Sequence, residues 1–174
     1  MRVVADANVF VSAALGRSPD APSVRIINAA LDSRIELVMS PALLAEIADV
    51  LSRPRNRKRL SAADAHRFLG DVAAQTLTFA DPVDPPSVCR DPDDDYLVAL
   101  AAVGGADMLV TRDDDLLAVE PDQIGVEVLS PRQLIDLLGS AVGGASTAIR
   151  VRRRGADGSR LGSGPPRASR SPAA

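Results

Sequence analysis

Four acidic positions stand out of pattern along this chain: Asp6, Glu46, the pair Asp94 and Asp95, and Asp113. Asp6 ends the apolar run Val3-Val4-Ala5, and Asp113 lies just beyond Met108-Leu109-Val110. Both runs have the length and composition of buried parallel strands. Glu46 follows Leu43 by one helical turn, beside the apolar stripe Leu43, Ile47, Val50 and Leu51. Asp95 precedes Val98, Ala99 and Ala102 at helical spacing, whereas Asp94 shares a face with Leu97, Val98 and Ala101. Spacing leaves both of these open. Each acid has an ordinary explanation alone, as a rim glutamate, a helix-dipole partner or an Asp-rich turn. Together they share a destination, the carboxyl edge of a sheet, where open α/β folds bind ligands. Carboxylates that converge without cations raise one another's pKa values. A hard dication removes that penalty, and an all-oxygen set suits Mg²⁺ or Mn²⁺. Such an ion activates water and stabilises charge at a phosphodiester. Metal-dependent phosphodiester hydrolysis is therefore the chemistry expected.

Composition narrows the alternatives. The chain has 174 residues, 46% of them hydrophobic and 2% aromatic, so an aliphatic core must carry one domain. His66 and Cys89 are the only histidine and cysteine. A disulfide framework and a Cys/His zinc site are excluded, and the pattern fits a reducing cytoplasm. A Ser-His-Asp triad would need His66, which lies among Asp64, Ala65 and Arg67 on a polar helix face. No apolar run approaches a membrane span, and the start lacks the pattern of a secretory signal. The net charge of −3 hides an asymmetry: residues 141–174 hold seven arginines and one acid, leaving −9 on residues 1–140.

The elements that must position the acids follow in alternation. Strands are expected at the N-terminus, Ile35 to Met39, Thr76 to Ala80, Met108 to Val110 and Val126 to Leu129. Helices are expected over Phe10 to Arg17, Ser23 to Ser33, Pro41 to about Arg53, Ser61 to Gln75, Asp93 to Ala102 and Pro131 to Leu138. Ser40-Pro41 and Asp91-Pro92 each read as an N-cap followed by proline at the first helical position. The alternation predicts an α/β fold, a three-layer α/β/α sandwich on a mostly parallel sheet. Residues 1–140 form the expected domain. Residues 141–174, rich in Gly, Ser, Pro and Arg, are expected to be a disordered tail.

Four segments carry a family resemblance: Asp6-Ala7-Asn8-Val9-Phe10-Val11-Ser12-Ala13, Ser40-Pro41-Ala42-Leu43-Leu44-Ala45-Glu46-Ile47, Arg90-Asp91-Pro92-Asp93-Asp94-Asp95 and Val110-Thr111-Arg112-Asp113-Asp114-Asp115-Leu116. In this order they resemble the motifs of PIN-domain proteins over residues 1 to about 139. The likeness is to the bacterial branch described as toxins of toxin–antitoxin systems, related to VapC. The resemblance implies a Mg²⁺- or Mn²⁺-dependent ribonuclease with Asp6, Glu46, Asp95 and Asp113 as its acids. Asp94 is also commonly acidic in that branch. Asn8, Ser12 and Thr111 would then be supporting hydrogen-bonding residues and Asp115 an outer acid. A cognate antitoxin and homodimerisation are further implications of the likeness. The rival folds with a strand-end Asp fit less well: a haloacid-dehalogenase-like site wants an acid where Asn8 stands, and a receiver domain wants a late lysine, whereas Lys58 is the only one.

An acidic body must still attract RNA. Arg53, Arg55, Arg57, Lys58 and Arg59 form a basic cluster just after the Glu46 helix, where phosphate contact is expected. A solvated helix-end cluster explains the same residues equally well. A catalytically inactive PIN-like module, kept for protein binding, is the alternative to the nuclease as a whole.

Overall fold

The computed structural model describes residues 1–140, and the Arg-rich segment 141–174 lies outside the described residues. Five strands form one sheet: β1 (Arg2–Ala5), β2 (Glu36–Met39), β3 (Thr76–Thr78), β4 (Met108–Val110) and β5 (Glu127–Leu129). Their spatial order is β3-β2-β1-β4-β5, with every adjacent pair parallel. The strands are short, and those of the centre are buried on both faces. Val3, Val4, Ala5, Leu37, Val38, Leu109 and Val110 lie in the core, as the continuous apolar runs require of a parallel sheet covered by helices.

The helices among the described residues are α1 (Ala7–Leu15), α2 (Pro22–Leu31), α3 (Pro41–Ser52), α4 (Pro54–Arg57), α5 (Ala62–Ala74), α6 (Asp95–Gly104), α7 (Asp114–Leu117), α8 (Pro121–Ile124) and α9 (Pro131–Ser140). The short α4, α7 and α8 are not expected from periodicity, since four residues cannot show a helical repeat. Helix α1 begins three residues earlier than the apolar pattern implies, because Asp6 itself caps it. Helix α3 begins as its sequence predicts: buried Ser40 accepts from the Leu43 N–H at 3.3 Å, and Asp81 accepts from the Ala42 N–H at 2.8 Å. Its apolar stripe holds, with Leu43, Ile47 and Leu51 buried and Val50 partly so.

Helix α6 departs from the expectation in an instructive way. Asp91 caps Asp93, but the first turn after it, Pro92–Asp94, is a 3₁₀ turn, and the α-helix starts at Asp95. A 3₁₀ turn advances a residue by about 120° rather than about 100°, so phase read from one continuous helix is lost across it. At the far end, Gly104 lets α6 lie against β2, since a Cβ there would stand 2.6 Å from Val38 Cγ1. Gly105 closes the helix in the left-handed conformation, φ +57°.

The sheet order places a topological switch point between β1 and β4. From β1 the chain winds outward through β2 and β3, then returns to β4 on the other side. The crevice beyond the carboxyl ends of β1 and β4 is where such sheets bind ligands. Asp6 and Thr111 are the first residues past those two ends.

Candidate active site

Asp6 is 4% exposed, which obliges its carboxylate to find partners. Its Oδ1 accepts from the Asn8 N–H at 2.9 Å, the capping bond of α1. Its Oδ2 accepts from the Thr111 hydroxyl at 2.7 Å and more weakly from Asn8 Nδ2 at 3.4 Å. The fully buried Thr111 Oγ1 in turn accepts from the Asp113 N–H at 2.9 Å. One hydroxyl thus ties the strand-end acid of β1 to the turn that carries Asp113. Asp113 caps α7, its Oδ1 accepting from the Asp115 N–H at 2.8 Å.

Asp94 is the acid of the pair that faces this crevice. Its carboxyl is pushed up to about 6, first by burial and then by the negative charges of Asp113, Asp6, Asp91 and Glu46. Asp95 has other partners. It is 4% exposed, and its Oδ1 accepts from the Cys89 N–H at 2.7 Å and the Val88 N–H at 3.0 Å. Burial opposes its charge, yet those two donors outweigh burial and hold its carboxyl below the ordinary carboxylate range. The 3₁₀ turn Pro92–Asp94 separates the Asp91 cap from the α-helix that Asp95 begins, and the two neighbouring acids have different partners. Asp95 anchors the loop before its own helix, and its charge raises the Cys89 thiol, already destabilised as a thiolate by burial, to about 12.

Glu46 lies on the exposed flank of α3 rather than under it. The Tyr96 hydroxyl donates a short hydrogen bond to its Oε2. Burial and then Glu46, Asp6 and Asp94 all push the Tyr96 hydroxyl above its usual pKa, so it stays protonated as a donor. Tyr96, the one tyrosine of the chain, was missed by sequence reasoning. The available signal was its position, next to Asp95 and one turn before Leu100 on a helix already assigned to the site.

Other expected residues stand elsewhere. Asp115 pairs with Arg90 at 3.2 Å, an exposed ion pair. The Ser12 hydroxyl accepts from Arg112 Nη1 at 2.8 Å. In the basic cluster, Arg53 pairs with Asp49 at 2.9 Å. Arg59 donates to the Leu15 carbonyl at 3.2 Å, at the end of α1 opposite Asp6. A nine-residue helix spans about 13 Å, so the cluster stands a helix length from the acids rather than against them. Arg55, Arg57 and Lys58 are exposed there.

Among the described residues, no three acidic, histidine or cysteine side chains stand close enough in this arrangement to close around one ion. Local hydrogen bonds hold Asp6 and Asp113 in place. The donor set nevertheless suits a hard dication. Asp6, Asp94, Asp113 and Glu46 offer only carboxylate oxygens. Their charges meet at Asp94, and among the described residues none of the four is in an ion pair.

Comparison with known proteins agrees with this architecture. The uncharacterised protein MJ1680 of Methanocaldococcus jannaschii is 28% identical over 145 residues, covering 78% of this chain and 90% of that protein. The crystal structure of PAE2754 from Pyrobaculum aerophilum superposes with a TM-score of 0.55 at 18% identity, over 80% of this chain and 90% of that one. Weaker likenesses link the chain to VapBC2 from Rickettsia felis bound to a DNA fragment from their promoter, at a TM-score of 0.48, 14% identity and coverage of 75% and 98%. At 0.49, 15% identity and coverage of 86% and 100%, a PilT N-terminus domain protein, SSO1118 from Sulfolobus solfataricus P2, is similar to the same degree. These identities concern the fold. A PIN domain family model matches residues 2–115, the span that runs from β1 through the Asp113 turn and contains every acid of the crevice. The chain belongs to the PIN-domain family.

Proposed function

We propose that this chain is a Mg²⁺- or Mn²⁺-dependent endoribonuclease in which Asp6, Asp94 and Asp113 hold the ion, with Glu46 joining directly or through water. The observation that carries the reading is electrostatic. Asp94 is raised to about 6 by burial first and then by the charges of Asp113, Asp6, Asp91 and Glu46, and Asp6, Glu46, Asp94 and Asp113 meet no cation among the described residues. PIN domains are generally nucleases, which supports phosphodiester hydrolysis over other uses of an acidic crevice.

When bound, the dication would neutralise the acids and supply Lewis acidity toward water and a phosphodiester. The chain's own residues do the positioning. Thr111 fixes the spacing between Asp6 and Asp113 by donating to one and accepting from the backbone of the other. Asn8 holds Asp6 at the start of α1. Tyr96 orients Glu46. Asp95 is assigned to the loop at Val88 and Cys89 rather than to the ion. His66 is exposed on α5, so carboxylates must do the acid–base work. Arg55, Arg57 and Lys58 would meet phosphates farther along the strand, with Arg53 and Arg59 beside them.

The finer reading is a toxin of a type II toxin–antitoxin pair, acting on RNA in the cytoplasm as a homodimer with a cognate antitoxin. It rests on the four motif segments that resemble VapC-related toxins. Co-expression with the neighbouring gene product tests it: a partner that copurifies and blocks cleavage supports it, and a pair without complex or inhibition removes it. The test of the nuclease is RNA cleavage with Mg²⁺, with EDTA, and in Asp6→Asn. Cleavage only with metal, lost in Asp6→Asn, is expected; cleavage that survives EDTA defeats the mechanism. One observation favours a second reading, a non-catalytic interaction module: the described acids are not drawn together into a closed cage. Absence of any Mn²⁺-induced thermal shift would select it, since a bound ion must stabilise the fold through linkage.

A further inference from the structure

Two concavities outside the acidic crevice differ in charge. One, about 440 Å³, is walled by Asp107, Asp122 and Glu127 at the opposite edge of the sheet, and repels anions. The other, about 550 Å³, lies between the start of α2, the start of α9 and the turn after β4. Its charged walls are Arg112, Arg132 and the single acid Asp114, so its net charge is positive. Neither arginine is in an ion pair among the described residues. Arg112 is held across the cavity by its bond to Ser12.

The start of α2 lacks a cap. Helix α2, ten residues long, has Ala21 at its N-cap with no side-chain cap and no acid in its first turn. Its leading N–H groups therefore lack acceptors. By contrast α9, which starts on the same cavity, is closed by Ser130 and Gln133. Ser23, in the first turn of α2, is 5% exposed and lines the cavity. It forms part of the cavity wall beside Pro22. A serine hydroxyl on the wall, backbone donors at a helix start and two guanidinium groups outside any ion pair among the described residues are what a phosphate oxygen requires.

We propose that this cavity is a phosphate subsite for the RNA strand, with Arg112 and Arg132 as its cationic walls and Ser23 and the α2 N-terminus as its neutral donors. Its position ties it to the acidic crevice. Arg112 stands between Thr111, which bonds Asp6, and Asp113, while Ser12 lies on the helix that Asp6 caps. A phosphodiester seated here belongs to the same strand as the one at the acids. This inference rests on the nuclease reading for its ligand, but not for its test.

The test is fluorescence anisotropy of a short single-stranded RNA with the full chain in EDTA, where no cleavage occurs. Wild type is compared with Arg132→Ala, Arg112→Ala/Arg132→Ala and Ser23→Ala. The double variant is expected to bind about tenfold more weakly. The slope of log affinity against log salt should fall by about 0.7, the change for one phosphate no longer neutralised. Ser23→Ala should weaken binding severalfold, and Arg132→Ala should leave the Mn²⁺ thermal shift as in wild type. Unchanged RNA affinity and salt slope in the double variant overturn the subsite, whatever the cleavage assay gives. If inorganic phosphate protects the chain in an Arg132-dependent way while RNA binding does not change, the cavity holds a free ion and the strand assignment is wrong. Loss of cleavage in wild type with the RNA effects intact would instead count against the nuclease reading alone.

Discussion

Asp94 and Asp95 are adjacent in sequence and meet different partners. The first meets the charges of Asp113, Asp6 and Glu46, while the second accepts two backbone N–H groups from the loop at Val88 and Cys89. The division follows from the 3₁₀ turn that Asp91 and Pro92 impose before α6 begins.

The division makes the two Asn variants separable. Asp94→Asn should abolish Mn²⁺-dependent stabilisation and RNA cleavage with little change in metal-free stability at acidic pH. Asp95→Asn leaves two part-buried N–H groups with a weaker acceptor and should cost about 1 kcal/mol, with the Mn²⁺ shift retained. Thermal melts of both variants with and without Mn²⁺ check the assignment; the reverse pattern would restore Asp95 to the ion.

The raised carboxyl of Asp94 sets a pH dependence. A carboxylic acid whose folded pKa, about 6, lies above its unfolded value of 3.8 favours folding in its protonated form. Its unfavourable contribution is absent below the unfolded value, grows as pH rises and is complete above about 6. In the absence of metal, the stability difference between Asp94→Asn and wild type should therefore widen from pH 4 to 6, the variant being favoured. Mn²⁺ competes with the same proton, so its affinity should fall as pH drops through about 6. Melts and titrations across that range measure both.

Tyr96 positions Glu46 without touching an ion in this account. Tyr96→Phe keeps the ring and removes the donor. The Mn²⁺ concentration for half-maximal cleavage should rise severalfold, with the melting temperature of the metal-free chain nearly unchanged. An unaltered metal requirement would make Glu46 independent of Tyr96.

The placement of α6 depends on close approach at Gly104. Gly104→Ala drives a Cβ to 2.6 Å from Val38 Cγ1 in the sheet. Overpacking of this kind costs about 1–3 kcal/mol, which urea unfolding would read. Because α6 carries the Asp94 turn, the metal shift should weaken with it.

Much of the fold was legible because its strands are short, continuous apolar runs and its helices carry explicit starts. Ser40-Pro41 and Asp91-Pro92 mark α3 and the Asp94 turn, and the β1 and β4 runs place Asp6 and Thr111 at the sheet edge. What was not legible depends on rotation and reach. Helical phase does not survive a 3₁₀ turn, so Asp94 and Asp95 could not be told apart. The pairing of Asp115 with Arg90 and of Ser12 with Arg112 joins residues 25 and 100 positions apart, beyond any local pattern. The basic cluster follows Glu46 closely in sequence, yet α3 carries the chain away from the site before the cluster begins.

The central claim is that Asp6, Asp94 and Asp113 share a dication at the switch point of the sheet. Anomalous diffraction from a crystal soaked in Mn²⁺ tests it most directly. The account predicts a peak about 2 Å from carboxylate oxygens of those three residues, with Asp95 still bonded to Val88 and Cys89. A crystal with no peak there, or with the ion held by Asp95 or Asp115 instead, would contradict it.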